Sequence, residues 1–483
     1  MAKRFQHSSV TSVEEAKEDR ISHLPEEILT SILSFLTTEE ASRTSVLSRR
    51  WRILWTLTSS LNFDCTKIAL GKKLDDRFAL RSERTRFAMW VKRVLEVYKD
   101  SNLDEFIVSF DLTCNSRRSL DKWMNFAMSK TLKRLEISLA PFSSRKFRFH
   151  DECYSFPVDC YSFIRGPEGL SNISSLRSLC LRYVNMTGEV VEHFLLNCPL
   201  LEQLTVAVAY RLESLKVPAS SLRLKYLEIF DCYHLKNFEI CAPNLVTILY
   251  NQGGRYNGRR MKLQAVHLPH LLDLHLGGPE LSITEDFFGA CSSSFSQLMT
   301  LKIVVTEVRM QECQVRLKFP KFPELTNLRH LGFKTEYDIC SILAVRLLIK
   351  SSPLLNKFTL ELADGSRCQI KRRVRTGINC PHQNLKVVEI VGFIGGAVEY
   401  EFIMFFLDNA SALEKIILRP RDPFSPSEAE NKMLRRAREH AEKFKTRFSP
   451  RVEVVIMTDS REIFIYGENC TEKSESEGSK DII

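Results

Sequence analysis

The sequence predicts an α/β chain: a small three-helix module at the N-terminus, then a long, irregular solenoid of short parallel strands that closes in an α/β block. Three observations carry this. Apolar residues at helical spacing crowd into the stretch from Leu24 to Trp55. From Leu103 onward the pattern Leu-x-x-Leu-x-Leu, with another aliphatic or Phe standing in for Leu, recurs along most of the chain. Beyond residue 380 the apolar spacing reads strand, helix, strand, charged helix, strand.

Bulk composition sets the frame. The chain has 483 residues, 44% hydrophobic and 27% charged, a balance that can bury a core. No run approaches the ~18 uninterrupted apolar residues of a membrane helix, and Met1 to Arg20 lack the apolar core of a secretory signal. The 14 cysteines contain no C-x-x-C pair, so neither a zinc finger nor a redox motif is supported. Reduced thiols in a cytoplasmic or nuclear protein are expected. The net charge of +10 raises nucleic acid, a membrane surface or an acidic protein as partners. That charge is patchy. Residues 41–99 carry fourteen basic and five acidic side chains, whereas 459–483 carry seven acidic and three basic. Lys371-Arg372-Arg373-Val374-Arg375 is either a solvated basic loop or a nuclear-localisation patch.

The N-terminal helices follow from local chemistry. Ile28, Leu29, Ile32, Leu33, Phe35 and Leu36 repeat at helical spacing. Pro25 suits a helix start, where a missing N–H costs nothing, and Glu26 and Glu27 face the positive end of the dipole. Thr37 and Glu40 have capping-box spacing, so a second helix is expected from Thr38. Val46, Leu47, Trp51, Leu54 and Trp55 predict a third, interleaved with Arg49, Arg50 and Arg52. So small a core is marginal alone and must dock on a partner or on the remaining chain.

These residues resemble a known family. Leu24-Pro25-x-x-Ile28-Leu29-x-x-Ile32-Leu33-x-x-Leu36, followed by Val46-Leu47-Ser48-Arg49-Arg50-Trp51-Arg52, is similar to an F-box. The resemblance implies a module that binds the Skp-type adaptor of an SCF (Skp, cullin, F-box) ubiquitin ligase and, through it, a cullin. On the matching positions, Leu24, Pro25, Ile28, Leu29, Ile32, Leu33, Leu36, Val46, Leu47 and Trp51 would form its adaptor-facing and internal apolar surface. Adaptors of that family are acidic, so the basic stretch after Ala41 would be attracted to one.

The repeats begin at Leu103-Phe106-Val108 and Leu132-Leu135-Ile137. From Leu176 to Leu413 the first leucines are spaced by 25, 23, 21, 26, 27, 30, 27, 30 and 28 residues, in or near the leucine-rich-repeat range. Residues at +3 and +5 from each first leucine should point inward, and those at +2, +4 and +6 should line the concave face. Over twelve rungs the face carries seven basic residues (Arg134, Arg182, Lys302, Lys334, Lys357, Lys415, Arg419) and six acidic ones (Glu105, Glu136, Glu228, Asp273, Glu361, Glu389). A near-neutral face with Tyr226, Phe230 and His275 at its middle fits a protein of mixed charge and disfavours nucleic acid. The candidate target-binding residues are Arg182, Tyr226, Glu228, Phe230, Asp273, His275, Lys302, Lys334 and Lys357.

The terminal block, with Cys380-Pro381-His382 and Leu407-Asp408-Asn409-Ala410-x-x-Leu413-Glu414-Lys415, resembles the FBD domain that follows F-box and leucine-rich repeats in a plant-expanded family. Catalytic spacings do not emerge. Gly253-x-x-x-x-Gly258 is followed by Arg259 and Arg260 where a phosphate loop needs Lys and Ser or Thr. His267, His270 and His275 lack a cysteine or carboxylate at ligand spacing. Neither cofactor nor metal is expected, nor a membrane partner.

The expected organisation is a disordered tail over 1–19, F-box over 20–64, basic helical linker over 65–100, solenoid over 101–379, FBD-like domain continuing it over 380–457, and a disordered acidic tail over 458–483. The leading expectation is a non-catalytic substrate receptor of an SCF-type ligase acting on an unknown target protein. An interaction scaffold without ubiquitination and a basic nucleic-acid binder are the alternatives.

Overall fold

The computed structural model describes residues 21, 23–65, 77–98, 103–142, 152–156, 172–252, 262–265, 268–278, 292–305, 323–335, 339–362, 381–420, 428–448 and 452–457. The expected tails, the Lys371 patch, the Gly253 motif, His267 and Cys380 lie outside these residues.

Each repeat motif supplies one strand of a single fourteen-stranded sheet whose spatial order is the chain order. The strands are β1 Ser60–Asp64, β2 Glu105–Ser109, β3 Arg134–Ser138, β4 Ser178–Arg182, β5 Gln203–Ala207, β6 Tyr226–Phe230 and β7 Thr247–Asn251. They continue as β8 Asp273–Gly278, β9 Thr300–Val305, β10 His330–Thr335, β11 Lys357–Leu362, β12 Val387–Phe393, β13 Lys415–Pro420 and β14 Glu453–Ile456. Every neighbouring pair is parallel. The register is set by the motif: Leu135 lies opposite Leu179, and the column runs on through Leu204, Leu227, Ile248, Leu274, Leu301, Leu331, Phe358, Val388 and Ile416. All of these side chains are buried. One coil cannot enclose its own leucines, so stacking builds the continuous core.

The sheet starts earlier than the first motif at Leu103. β1 pairs with β2, and the helix Arg77–Val97 places Phe87, Val91 and Val94 in the solenoid core, with Tyr98 following. The segment read as a linker therefore carries the first coil. Its basic appearance hid a sparse apolar stripe at helical spacing. Phe87 stacks on Phe110 with ring centroids 4.2 Å apart and meets Trp123 edge-on.

Outside the main sheet, Ser214–Val217, Asn237–Ile240 and Lys262–Ala265 form a second, three-stranded parallel sheet. Where β4, β5 and β6 end, Tyr183, Val208 and Asp231 adopt left-handed φ of 56°, 53° and 51°. All three sit at offset +7. Each N–H donates to the next coil, Tyr183 to Ala207, Val208 to Phe230 and Asp231 to Asn251, so the strained turn keeps the ladder satisfied as the chain leaves the sheet.

The amide at offset −1 is a further device, outside the leucine motif. Asn244, Gln297, Asn327 and Asn384 each precede a first leucine, and each side-chain NH2 donates to a carbonyl of the previous coil at 2.6–2.9 Å. In the terminal block His382 does related work. Its Nδ1 accepts from the N–H groups of Asn384 and Leu385, so Nε2 carries the proton and donates to the Ser352 carbonyl at 2.9 Å. The His of the Cys-Pro-His signature is thus a buried clasp between coils.

Candidate functional site: an apolar face on the helical module and a paired concave face

The N-terminal helix Glu26–Ser34 has two apolar stripes. Leu29 and Leu33, with Leu36 just beyond, turn inward onto Ala41, Trp51 and Leu54. Ile28, Ile32 and Phe35, also at i, i+4 and i+7, turn outward, and Phe35 is 86% exposed. The helix Thr38–Arg43 starts from the expected capping box, with Thr37 Oγ1 accepting from Glu40 N–H and the Glu40 carboxylate accepting from Thr37 N–H. The third expected helix is broken into a 3-10 turn Thr44–Val46, a single α-turn Trp51–Leu54 and a 3-10 turn Trp55–Leu57. That break leaves Val46 87% exposed and Leu47 exposed as well, while Trp51 and Leu54 stay inside.

The ten residues named from the sequence therefore divide. Leu29, Leu33 and Trp51 are internal, Leu24 and Leu36 lie half-buried against them, and Pro25, Ile28, Ile32, Val46 and Leu47 are exposed. Phe35, Ile53 and Leu57 are exposed too and were missed. Their signal was readable, because Phe35 continues the Ile28/Ile32 spacing. Arg49 and Arg52 are also exposed. Arg50 instead ties the module together through the Leu24 carbonyl at 2.9 Å.

The module docks on the first coil. Trp55 packs against both the module's core and the solenoid core. Thr38 Oγ1 accepts from Asn62 N–H of β1 at 2.8 Å, and Asn62 Oδ1 accepts from Asp64 N–H at 3.0 Å.

On the concave face the sequence-named residues come together, but largely with one another. Glu228 is 2% exposed and accepts from Tyr226 Oη at 2.9 Å and from Thr205 Oγ1 at 3.2 Å, with Arg182 3.7 Å away. Lys334 pairs with Glu361 at 2.5 Å; Lys357 and Arg419 pair with Glu389 at 2.7 and 2.6 Å. Asp273 accepts from Thr247 Oγ1. His275 and Lys302 are register neighbours on β8 and β9, half-buried, as is Phe230. The middle column is more closed than simple alternation implies. Strands ~4.8 Å apart let long side chains at +2 and +6 fold over the buried carboxylates of Glu228 and Glu389 at +4, while Lys334 meets its register partner Glu361 at +6. Burial opposes ionisation of Glu389, but hydrogen bonds from Lys357 and Arg419 outweigh it and hold its pKa below the usual carboxylate range. His330 beside them is pushed down to about 4 by burial and by the charges of Lys357 and Lys302. His270 and His275 stand on different faces, an exposed lateral position and the concave one, and among the described residues no group of three or more His, Cys, Asp or Glu could hold a metal ion.

Family models match this arrangement segment by segment. Residues 21–62 match the F-box domain, and residues 99–440 match the family model described as At1g61320/AtMIF1, LRR domain. The chain belongs to the F-box/FBD/LRR-repeat family. Among its relatives in Arabidopsis thaliana, F-box/FBD/LRR-repeat protein At5g53840 is 24% identical over 84% of this chain and 88% of its own length. F-box/FBD/LRR-repeat protein At5g22660 is 24% identical over 85% and 92%, and F-box protein At3g59000 is 25% identical over 82% and 86%. F-box/LRR architecture is that of a protein-interaction adaptor: the F-box domain serves adaptor binding, and members of the family are generally non-catalytic. Among the described residues no helix is long and apolar enough to cross a membrane.

Proposed function

We propose that this F-box/LRR chain is a non-catalytic substrate-recognition subunit of an SCF-type ubiquitin ligase. The F-box holds a Skp-type adaptor, and through it a cullin, while the solenoid presents a target protein. The observation that carries this reading is the outward stripe of Ile28, Ile32 and Phe35, continued by Val46 and Leu47, on a module already anchored to the solenoid. Apolar surface of this kind is stabilised by a partner at roughly 25 cal/mol per Å² buried. Exposed Arg49 and Arg52 beside Val46 favour an acidic adaptor. The ligase role itself is proximity: an oriented target raises the effective concentration of acceptor lysines.

On the concave face the target would meet the more open residues around the buried pairs: Tyr226, Phe230, Asp273, His275, Lys302 and the exposed flanks of Lys334 and Lys357. Arg182 and Glu228 would hold Tyr226 in place. Because so many basic groups there are matched by carboxylates, a polyanion is a poor fit.

The test is co-purification with a Skp-type adaptor. Phe35→Asp combined with Val46→Asp should abolish it without lowering the chain's melting temperature, and should abolish ubiquitination of co-purifying proteins in a reconstituted ligase. Retained adaptor binding would refute the assignment. Adaptor binding without any ubiquitinated partner would leave only a scaffold.

A further inference from the structure

The offset +1 residues form a column along one lateral edge of the solenoid. Toward the N-terminus it is an ion-pair ladder, Asp104 to Lys133 at 2.9 Å, then Arg177 to Glu202 at 2.9 Å and Glu202 to Lys225 at 3.4 Å. Toward the C-terminus Lys386 pairs with Glu414 at 2.8 Å. Between these ladders three successive coils place Val246, Leu272 and Met299 instead. Leu222, from the turn before β6, joins them. Leu222 is 59% exposed, Met299 45% and Leu272 36%, a run of large apolar side chains unusual on a repeat edge that is otherwise polar and mostly charged.

Leu222, Val246 and Leu272 line an open groove, and Met299 follows on the next coil. A cavity of about 470 Å³ is floored by Leu222, Val246, Pro269 and Leu272 and rimmed by Arg223, Lys225 and His270, with Asn244 completing the lining. Among the described residues no carboxylate lines it. The backbone N–H groups of Val246, Leu272 and Met299 all donate to the preceding coil, so this edge offers side-chain contacts and no free strand to extend.

We propose that this groove docks an acidic amphipathic α-helix of a partner protein, laid along the solenoid axis. The apolar contacts repeat once per coil, every ~4.8 Å, whereas a helix brings one face round every ~5.4 Å and an extended strand every ~6.7 Å. A helix therefore stays in step with Val246, Leu272 and Met299 through aliphatic residues at i, i+4 and i+7, and a strand drifts out of step sooner. Its flanking carboxylates lie over Arg223, beside Lys225, which already pairs with Glu202, and Arg329 at offset +1 of the coil after Met299 extends the basic rim. The groove is separate from the outward stripe of the helical module, so the proposal does not depend on adaptor binding or on the ligase reading.

The probe is a fluorescein-labelled, end-capped 18-residue helical peptide with Leu at i, i+4, i+7 and i+11 and Glu on its other faces. It is titrated with the full chain in a fluorescence anisotropy experiment. Saturable binding is expected, weakened about tenfold or more by Leu272→Glu and by Arg223→Glu. Arg223 is exposed, so its variant leaves the fold intact and keeps the test valid should Leu272→Glu unfold the coil. Replacing the peptide's Glu by Lys should remove binding. Absence of saturable binding, equal binding by both protein variants, or equal binding of the Lys peptide overturns the proposal. So does self-association of the chain that Leu272→Glu abolishes, which would make a second copy the occupant. Tighter peptide binding after removal of the acidic segment 459–483 would instead assign the groove to the chain's own tail.

Discussion

Single side chains set the chemistry of the array. Burial pushes the Cys198 and Cys232 thiols up to about 12, so neither forms thiolate at neutral pH. Both should resist alkylation by iodoacetamide in the folded chain and react once it is denatured, as peptide mass spectrometry would show. His330 acts through pH. Its folded pKa lies near 4, below the ordinary value near 6.5, so between those values the unfolded chain binds a proton that the folded one refuses. Stability should fall as pH drops from about 6.5 toward 4, by roughly 2 kcal/mol between pH 7.5 and pH 5. His330→Gln should remove that part of the loss in urea titrations at the two pH values. Gly392 shows a different constraint. At φ 78°, where the register of β12 shifts, an added Cβ would lie 2.6 Å from the Leu362 carbonyl, so Gly392→Ala should be strongly destabilising.

Among the elements, the F-box helix Glu26–Ser34 separates stability from binding by one residue of rotation. Leu33→Ala should cost about 2–5 kcal/mol in the module's core, visible as early loss of helical signal on heating. Phe35→Ala should leave that melting unchanged and weaken only the adaptor. The buried clasp of His382 makes a parallel prediction in the terminal block. His382→Ala strands two N–H donors and one carbonyl, and should destabilise the chain by about 2 kcal/mol or more in denaturant titration. The inward leucines of both regions were legible in the sequence because their periodicity is a burial signal. The broken third helix was not, since helical spacing over Val46–Trp55 does not reveal that the chain turns between Leu47 and Trp51. Nor were the −1 amides, because a single Asn before each Leu looks like ordinary turn chemistry until the coils are stacked. Alternation groups the residues at +2, +4 and +6, yet their pairing depends on which coils become neighbours, and no local pattern contains that.

Across the whole molecule, the helical module and the solenoid share Trp55 and meet at Thr38 and Asn62. The outward apolar stripe of the F-box module therefore has a fixed relation to the first coil, and ligand binding at one should be felt at the other. A Skp-type adaptor at a hundredfold excess over its Kd should stabilise the folded chain by about 2.7 kcal/mol, raising the melting temperature of the first coils as well as the module. Unchanged protection of the Phe106 and Val108 amides in hydrogen exchange would show the two to be independent. One sheet joins the strands from Ser60 to Ile456.

A sheet of this length must end somewhere, and its first edge is sealed from within. Asn62 N–H is taken by Thr38 and Asp64 N–H by the Asn62 side chain, so β1 offers few free donors to a foreign strand. The F-box module is thereby also a guard against edge-to-edge aggregation. Chains truncated before β1 should collect as β-rich oligomers, whereas point variants of the outward stripe should remain dispersed.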